Sequence, residues 1–223
     1  MNRTILAIGT HPDDIEIGCG GTLALLFEQD YKLVFVIVTS GEEGSIDRPK
    51  AHLKNIREDE SVNSGRRLGA KEIIFLREPD GLVQISKETK TRLTSIIREI
   101  KPLTVFTHAR SDHFPDHRII HDLSMAAITV AAGPWYQDAH GNPHHVANVF
   151  GYEVWNPINE ARFINDISEH IETKIEALKL HTSQTNNVNY LTAVRGLAAY
   201  RGAMSMNGKF AEAFEVLILG GIV

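Results

Sequence analysis

One cysteine, Cys19, in 223 residues excludes an internal disulfide framework and the small secreted scaffolds built on one. Positive charge is not in excess either. Lys and Arg number 23 against 28 Asp and Glu, a net charge of −5, which argues against nucleic acid or an anionic membrane surface as the main partner. No apolar run approaches the ~20 residues a membrane span needs. No basic stretch followed by an apolar segment opens the chain in the manner of an export signal. The expectation is a cytoplasmic globular protein with no nucleic-acid partner and no membrane span. Aromatic residues make up only 7%, but the 43% hydrophobic content is ordinary. A single domain of this length buries roughly 70% of its unfolded surface. Neither repeats nor low-complexity segments interrupt it.

Histidine, by contrast, is abundant. There are eleven, and His108, His113, His117 and His121 fall within fourteen positions. Near the start, the stretch GTHPDDIEIGCGG (9–21) places His11, Asp13, Asp14 and Glu16 directly after an apolar run and before a set of glycines. A solvated turn or a helix cap accounts for paired aspartates in many proteins. A phosphate-binding loop fails on spacing, because G-x-G-x-x-G is absent, and on charge, because three carboxylates repel a pyrophosphate.

Apolar periodicity predicts strands at 3–9, 33–39, 72–76 and 103–107, and helices at 20–29, 50–68, 87–100 and 117–132. Strand alternating with helix at this spacing predicts an α/β fold: a Rossmann-like, mostly parallel sheet with helices on both faces. Residues 1–133 form this βαβ core. After Pro134 come a loop, a strand-like stretch (146–155), a helix near 167–181, a helix at 189–204 and an apolar segment at 211–219. The expectation is one domain over 1–223, with 134–223 an elaboration that covers the site.

Parallel sheets bind ligands at the carboxyl ends of their strands. Two polar segments fall there: His11-Pro12-Asp13-Asp14 after the first strand, and THARSDHFPDHR (107–118) after the fourth. Together they supply two imidazoles and a carboxylate, with a second carboxylate to spare. Three protein ligands with a free fourth position suit a catalytic zinc ion, so His11, Asp14 and His117 are the candidate ligands for one Zn2+ per chain. Asp13 is the candidate general base toward a water whose pKa the metal lowers to ~7. Fe2+ or another divalent ion suits the same set, and a non-haem iron oxygenase or a catalytically silent sugar-binding protein are alternative readings.

THPDDIEIGCGGTLA resembles the opening motif of the LmbE-like (PIG-L) family of zinc-dependent N-acetylglucosaminyl deacetylases. TSGEEGS (39–45), IREDE (56–60), PDGLV (79–83), DHFPDHR (112–118), KIEALKLHTSQ (174–184) and AEAF (211–214) continue the likeness. The resemblance implies hydrolytic removal of acetyl from an amino sugar on a small glycoconjugate. It also implies metal ligation by His11, Asp14 and His117, Asp13 as base, a sugar pocket lined by Glu42, Arg57 and Asp80, and a homo-oligomer (trimer or hexamer). One position departs from the pattern. Many members carry a His where this chain has Phe114. His113 is the neighbouring candidate for the missing catalytic acid, with Asp116 able to hold its ring.

Other residues have two readings each. Cys19 is a low-pKa thiol or a small packing residue. His140, His144 and His145 belong to a polar loop. His181 reaches the site from the last long helix or caps a helix. Trp155 stacks on a sugar or packs in the core, and Arg110 and Arg118 meet a substrate phosphate or balance the site's carboxylates.

Overall fold

The structure, a computed structural model, describes residues 3–220. In chain order the elements are β1 (Thr4–Gly9), α1 (Asp14–Glu28), β2 (Lys32–Thr39), α2 (Lys50–Arg67), β3 (Ala70–Glu78), α3 (Lys87–Ile100), β4 (Thr104–His108) and α4 (Pro115–Ala131). There follow β5 (Asn148–Tyr152), β6 (Phe163–Asp166), α5 (Ile171–Lys179), α6 (Thr182–Thr185), α7 (Tyr190–Ser205) and β7 (Ala211–Leu219). The strands make one sheet in the order β3-β2-β1-β4-β5-β7-β6. The first five run parallel, and β7 is antiparallel to both β5 and β6. The elaboration after 134 thus extends the same sheet.

Strand alternation divides the core. Leu6, Ile8, Val34 and Val36 pack under α3 and α4 with Leu93, Ile97, Ile120 and Leu123. Ile5, Ala7, Leu33, Phe35 and Ile37 pack on the other face with Ile15, Cys19 and Leu23 of α1. Side chains two apart share a face of a strand, and a parallel sheet covered on both sides needs apolar residues at every position.

Two boundaries differ from the sequence expectation in a way that shapes the site. α1 begins at Asp14, six residues before the expected start at 20, and α4 begins at Pro115 rather than 117. Glycine's low helix propensity hides the first case. Here Gly18 and Gly21 serve close packing instead: a Cβ on Gly18 would lie 2.1 Å from the Tyr152 ring, and one on Gly21 2.6 Å from Ile167. The glycines following His11 let α1 lie flat on β5 and the 167 loop. Strand β6 had no expected counterpart, being only FIND in sequence.

Candidate metal centre

Sheet order reverses between β1 and β4, so the loops leaving their carboxyl ends diverge and leave a crevice. β1 ends at Gly9 and β4 at His108. Thr10 N–H donates to His108 Nε2 at 3.1 Å, fastening the two exits together. Beyond Pro12 the chain turns abruptly at Asp13, whose φ of 108° is in the left-handed region a non-glycine residue enters at a cost of about 1–3 kcal/mol. Buried Arg57 offsets that strain: Nη2 donates to Pro12 O (2.6 Å) and Asp13 Oδ2 (3.3 Å), and Nη1 donates to Gly41 O (2.9 Å). His11 N–H donates to Asp14 Oδ2 at 2.7 Å, closing the turn onto the first residue of α1.

This turn aims His11 Nδ1 at His117 Nε2, 3.2 Å away. Asp14 closes the group with both its oxygens, Oδ2 lying 3.4 Å from His11 Nδ1 and Oδ1 3.4 Å from His117 Nε2. Ligand atoms at 2.0–2.1 Å from zinc in tetrahedral arrangement stand about 3.3–3.4 Å apart. Two imidazole nitrogens 3.2 Å apart, with an Asp14 oxygen 3.4 Å from each, are compatible with such an ion. Two other groups of ligand atoms lie equally close, His108–Asp112–His117 and His11–Asp80–Asp116. Both share a histidine with the first group, His117 in one and His11 in the other. Each candidate ligand imidazole has a carboxylate behind it. Asp80 Oδ1 lies 3.0 Å from His11 Nε2, and Asp112 Oδ2 lies 3.3 Å from His117 Nδ1, the latter out of line for a hydrogen bond. Such outer carboxylates orient metal-binding imidazoles and raise their basicity. Buried His108 stacks on His117 with ring centroids 4.0 Å apart.

Electrostatics separate the two adjacent aspartates. Burial pushes Asp13 up to about 6, against the pull of Arg57 and with added repulsion from Asp14. Asp14 is buried too, yet His117 and His108 hold it well below the usual carboxylate range. Burial opposes charge on His11, but Asp116, Asp14 and Asp80 together hold its pKa well above 6.5. Burial and His117 lower His108 to about 4, so that ring is neutral.

A cavity of about 590 Å3 opens over the centre. His11, Asp13, Asp14, Arg57 and Asp80 line it beside Phe114, Trp155 and Tyr190, with Gln184 and Asn187 on the C-terminal side. Several candidate residues sit otherwise than expected. Glu42 is absent from the lining, because its Oε1 accepts from Asp80 N at 3.1 Å. Arg57 and Asp80 do line the cavity, but both are committed to the ligand loops. His113 is exposed, its ring 6.4 Å from that of Trp155 and away from the cavity. Asp116, expected to hold it, accepts from Gly81 N at 2.9 Å and stands 3.8 Å from His11 Nε2. The reason is helical: Pro115 starts α4, which turns Asp116 and His117 inward and leaves His113 outside. Phe114 faces the cavity and meets His11 edge-on at 5.4 Å.

His181 is fully buried, 3.4 Å from Glu16, and backs α1 rather than lining the cavity. Burial raises the Cys19 thiol well above its ordinary pKa, so it is a packing residue. Arg118 spends a donor on the Asp112 carbonyl at 3.1 Å. His108 and Asp112 were the functional candidates that sequence reasoning missed. Their signal was in plain view: a His ending a strand and an Asp five residues before the candidate ligand.

A doubly wound sheet with two imidazoles and two adjacent carboxylates gathered at its switch point defines a class, an α/β protein with a candidate metal centre. The chain belongs to the PIG-L family, described as GlcNAc-PI de-N-acetylase, whose model matches residues 6–128. Deacetylases of this family are metal-dependent. The diacetylchitobiose deacetylase of Thermococcus kodakarensis is 29% identical over 215 residues, 91% of this chain and 79% of that protein. A conserved protein of Thermus thermophilus superposes with a TM-score of 0.89 at 28% identity, covering 100% of this chain and 98% of the other. The 4-carboxy-2-hydroxymuconate hydratase of Pseudomonas putida shares the fold, with a TM-score of 0.88 at 22% identity over 99% of this chain and 98% of the other.

Proposed function

We propose that this protein is a zinc-dependent hydrolase that removes the N-acetyl group from a GlcNAc-type amino sugar on a small glycoconjugate. The observation that carries the reading is the convergence of His11 Nδ1, Asp14 and His117 Nε2 at 3.2–3.4 Å, with Asp13 in the same cavity. Those three residues would hold the ion, which when bound supplies Lewis acidity to a water and to the acyl oxygen. Asp13 takes the proton from the attacking water and carries it to the departing amine. With His113 turned outward, protonated Asp13 is the acid of the second half-reaction as well as the base of the first. Arg57 fixes the Asp13 carboxylate, while Asp80 and Asp112 hold the two ligand rings. Because Asp13 must be ionised to act, turnover falls on the acid side: burial places that carboxyl at about 6 without the ion, and a bound cation moves the limb below that by favouring the carboxylate.

No helix among the described residues is long and apolar enough to cross a membrane. A cytoplasmic site of action is consistent with the one buried thiol. A trimer or hexamer rests on the family resemblance and on the apolar C-terminus, of which 221–223 lie outside the described residues.

The test is acetate release from N-acetylglucosamine and N,N'-diacetylchitobiose by protein loaded with about one zinc per chain, before and after chelation. Release that the chelator abolishes supports the reading. Full activity in metal-free protein, or water addition to an enol acid without amide cleavage, overturns it.

A further inference from the structure

Beside the metal cavity lies a smaller one of about 260 Å3. The two meet at Ile17, Val154, Trp155 and Tyr190, which line both. Ile17 is one helical turn beyond Asp14, and its N–H donates to Asp13 O at 2.9 Å. Asp14, a candidate ligand, and Ile17, on the shared wall, are thus about 5 Å apart along the axis of α1.

Its chemistry is unlike that of the larger one. Pro157, Ala193, Val194, Leu197, Ala198 and Ala211 supply most of the remaining wall. Three ionic groups reach it, and each is already satisfied. Glu153 accepts from Arg201 (3.1 and 2.7 Å) and from Ile158 N (2.8 Å). Lys174 Nζ donates to Glu212 and to Ile17 O (2.8 Å), and Glu212 also accepts from Gly21 N and Thr22 N. Its three ionic groups offer a sugar ring no unspent partner, which leaves only Tyr190 and Trp155 at the shared wall to meet several hydroxyls, and buried hydroxyls without partners are costly. An alkyl chain has nothing to satisfy. The far side of the metal cavity, by contrast, offers Ser45, Asp47, Gln184 and Asn187, groups suited to a sugar. The compartments adjoin at Ile17, Val154, Trp155 and Tyr190, with the candidate ligands His11 and Asp14 on the wall of the polar one, so an N-acyl amino sugar with its amide at the metal centre could extend its acyl chain past that shared wall.

We propose that the smaller cavity receives the acyl chain of the substrate, and that the preferred substrates are amino sugars bearing a medium-length N-acyl group rather than acetyl alone. The inference rests on the amide-hydrolase reading above. The reaction balances as ordinary amide hydrolysis: the C–N bond breaks, water oxygen joins the acyl carbon to give a carboxylate, and the amine takes up a proton.

The test compares kcat/KM of the zinc-loaded protein for N-acetyl-, N-butanoyl- and N-hexanoylglucosamine, with octyl N-acetylglucosaminide as a fourth substrate. Each buried methylene is worth up to about fourfold, so kcat/KM should rise with acyl length, by tenfold or more from acetyl to hexanoyl. Ala193→Leu narrows the cavity from an exposed position on α7 that tolerates leucine, and should flatten that gain. Leu197→Ala, which widens it, should shift the optimum to a longer chain. Flat or falling kcat/KM with acyl length overturns the inference while leaving amide hydrolysis standing. A gain for the octyl glycoside alone overturns it in favour of an apolar aglycone. No turnover of any N-acylglucosamine overturns both readings together.

Discussion

The chain has two histidine-rich loops, and the sheet sends them to opposite edges. His108, His117 and His121 lie at the carboxyl edge of β4, fully or nearly buried, each ring against a carboxylate, a carbonyl or another ring. His140, His144 and His145 lie before β5, at the amino edge. There His144 Nε2 bonds to the Pro102 carbonyl at 2.8 Å, and His140 and His145 are exposed. Composition alone rates the loops alike. The difference is topological, since only the carboxyl edge gathers loops from two diverging strands around a crevice. The comparison also separates a histidine that binds from one that closes a loop. The candidate ligand His117 has the Asp112 carboxylate behind it, whereas His144, like His121, bonds to a backbone carbonyl.

The sharpest way to break this comparison is His117→Ala, which removes one of three candidate ligands. Metal content should drop to background and turnover with it, as read by elemental analysis and acetate release. A variant that keeps its metal would move the centre elsewhere. Asp112→Asn leaves the ligands in place but weakens the support behind His117, so zinc affinity should fall by about 10–100-fold in a competition titration. An unchanged affinity would make Asp112 a loop residue only, through its bonds to Phe114 N and Trp155 N.

Away from the ligands, Gly18→Ala drives a Cβ into the Tyr152 ring at 2.1 Å. Overpacking of that kind costs about 1–3 kcal/mol. At roughly 2–4 °C per kcal/mol for a chain this size, it should be visible as a lowered Tm. No loss would mean that α1 shifts freely over β5, and the fixed position of Asp14 would need another cause. The smallest effect belongs to the amino-edge loop. His145→Ala should change stability by less than about 0.5 kcal/mol and leave metal content and turnover unaltered. A loss of metal there would erase the contrast between the edges.

The strand–helix alternation and the pairing of the His11 and His117 loops were legible because buried parallel strands read as continuous apolar runs with polar exits. The start of α1 was not, since 14–19, with Gly18 among them, look like a polar loop until the neighbour that Gly18 packs on, Tyr152, is known. Adjacent polar residues in 112–117 look equivalent in sequence. The helix phase set by Pro115 decides that Asp116 and His117 face inward and His113 outward, and that phase depends on where α4 begins. Glu42 was misplaced for a related reason: its partner is the backbone of a residue 38 positions away, which no local pattern announces.

In the proposed mechanism the adjacent aspartates divide the labour, Asp14 holding the metal and Asp13 moving the proton. Zinc content and kcat measured together on Asp13→Asn and Asp14→Asn test it most directly. Asp13→Asn should keep about one zinc per chain and lose roughly 10²–10⁴-fold in kcat, the worth of a positioned acid–base group, while Asp14→Asn should lose the zinc itself. Zinc lost from Asp13→Asn, or kept at full affinity in Asp14→Asn, would contradict the account.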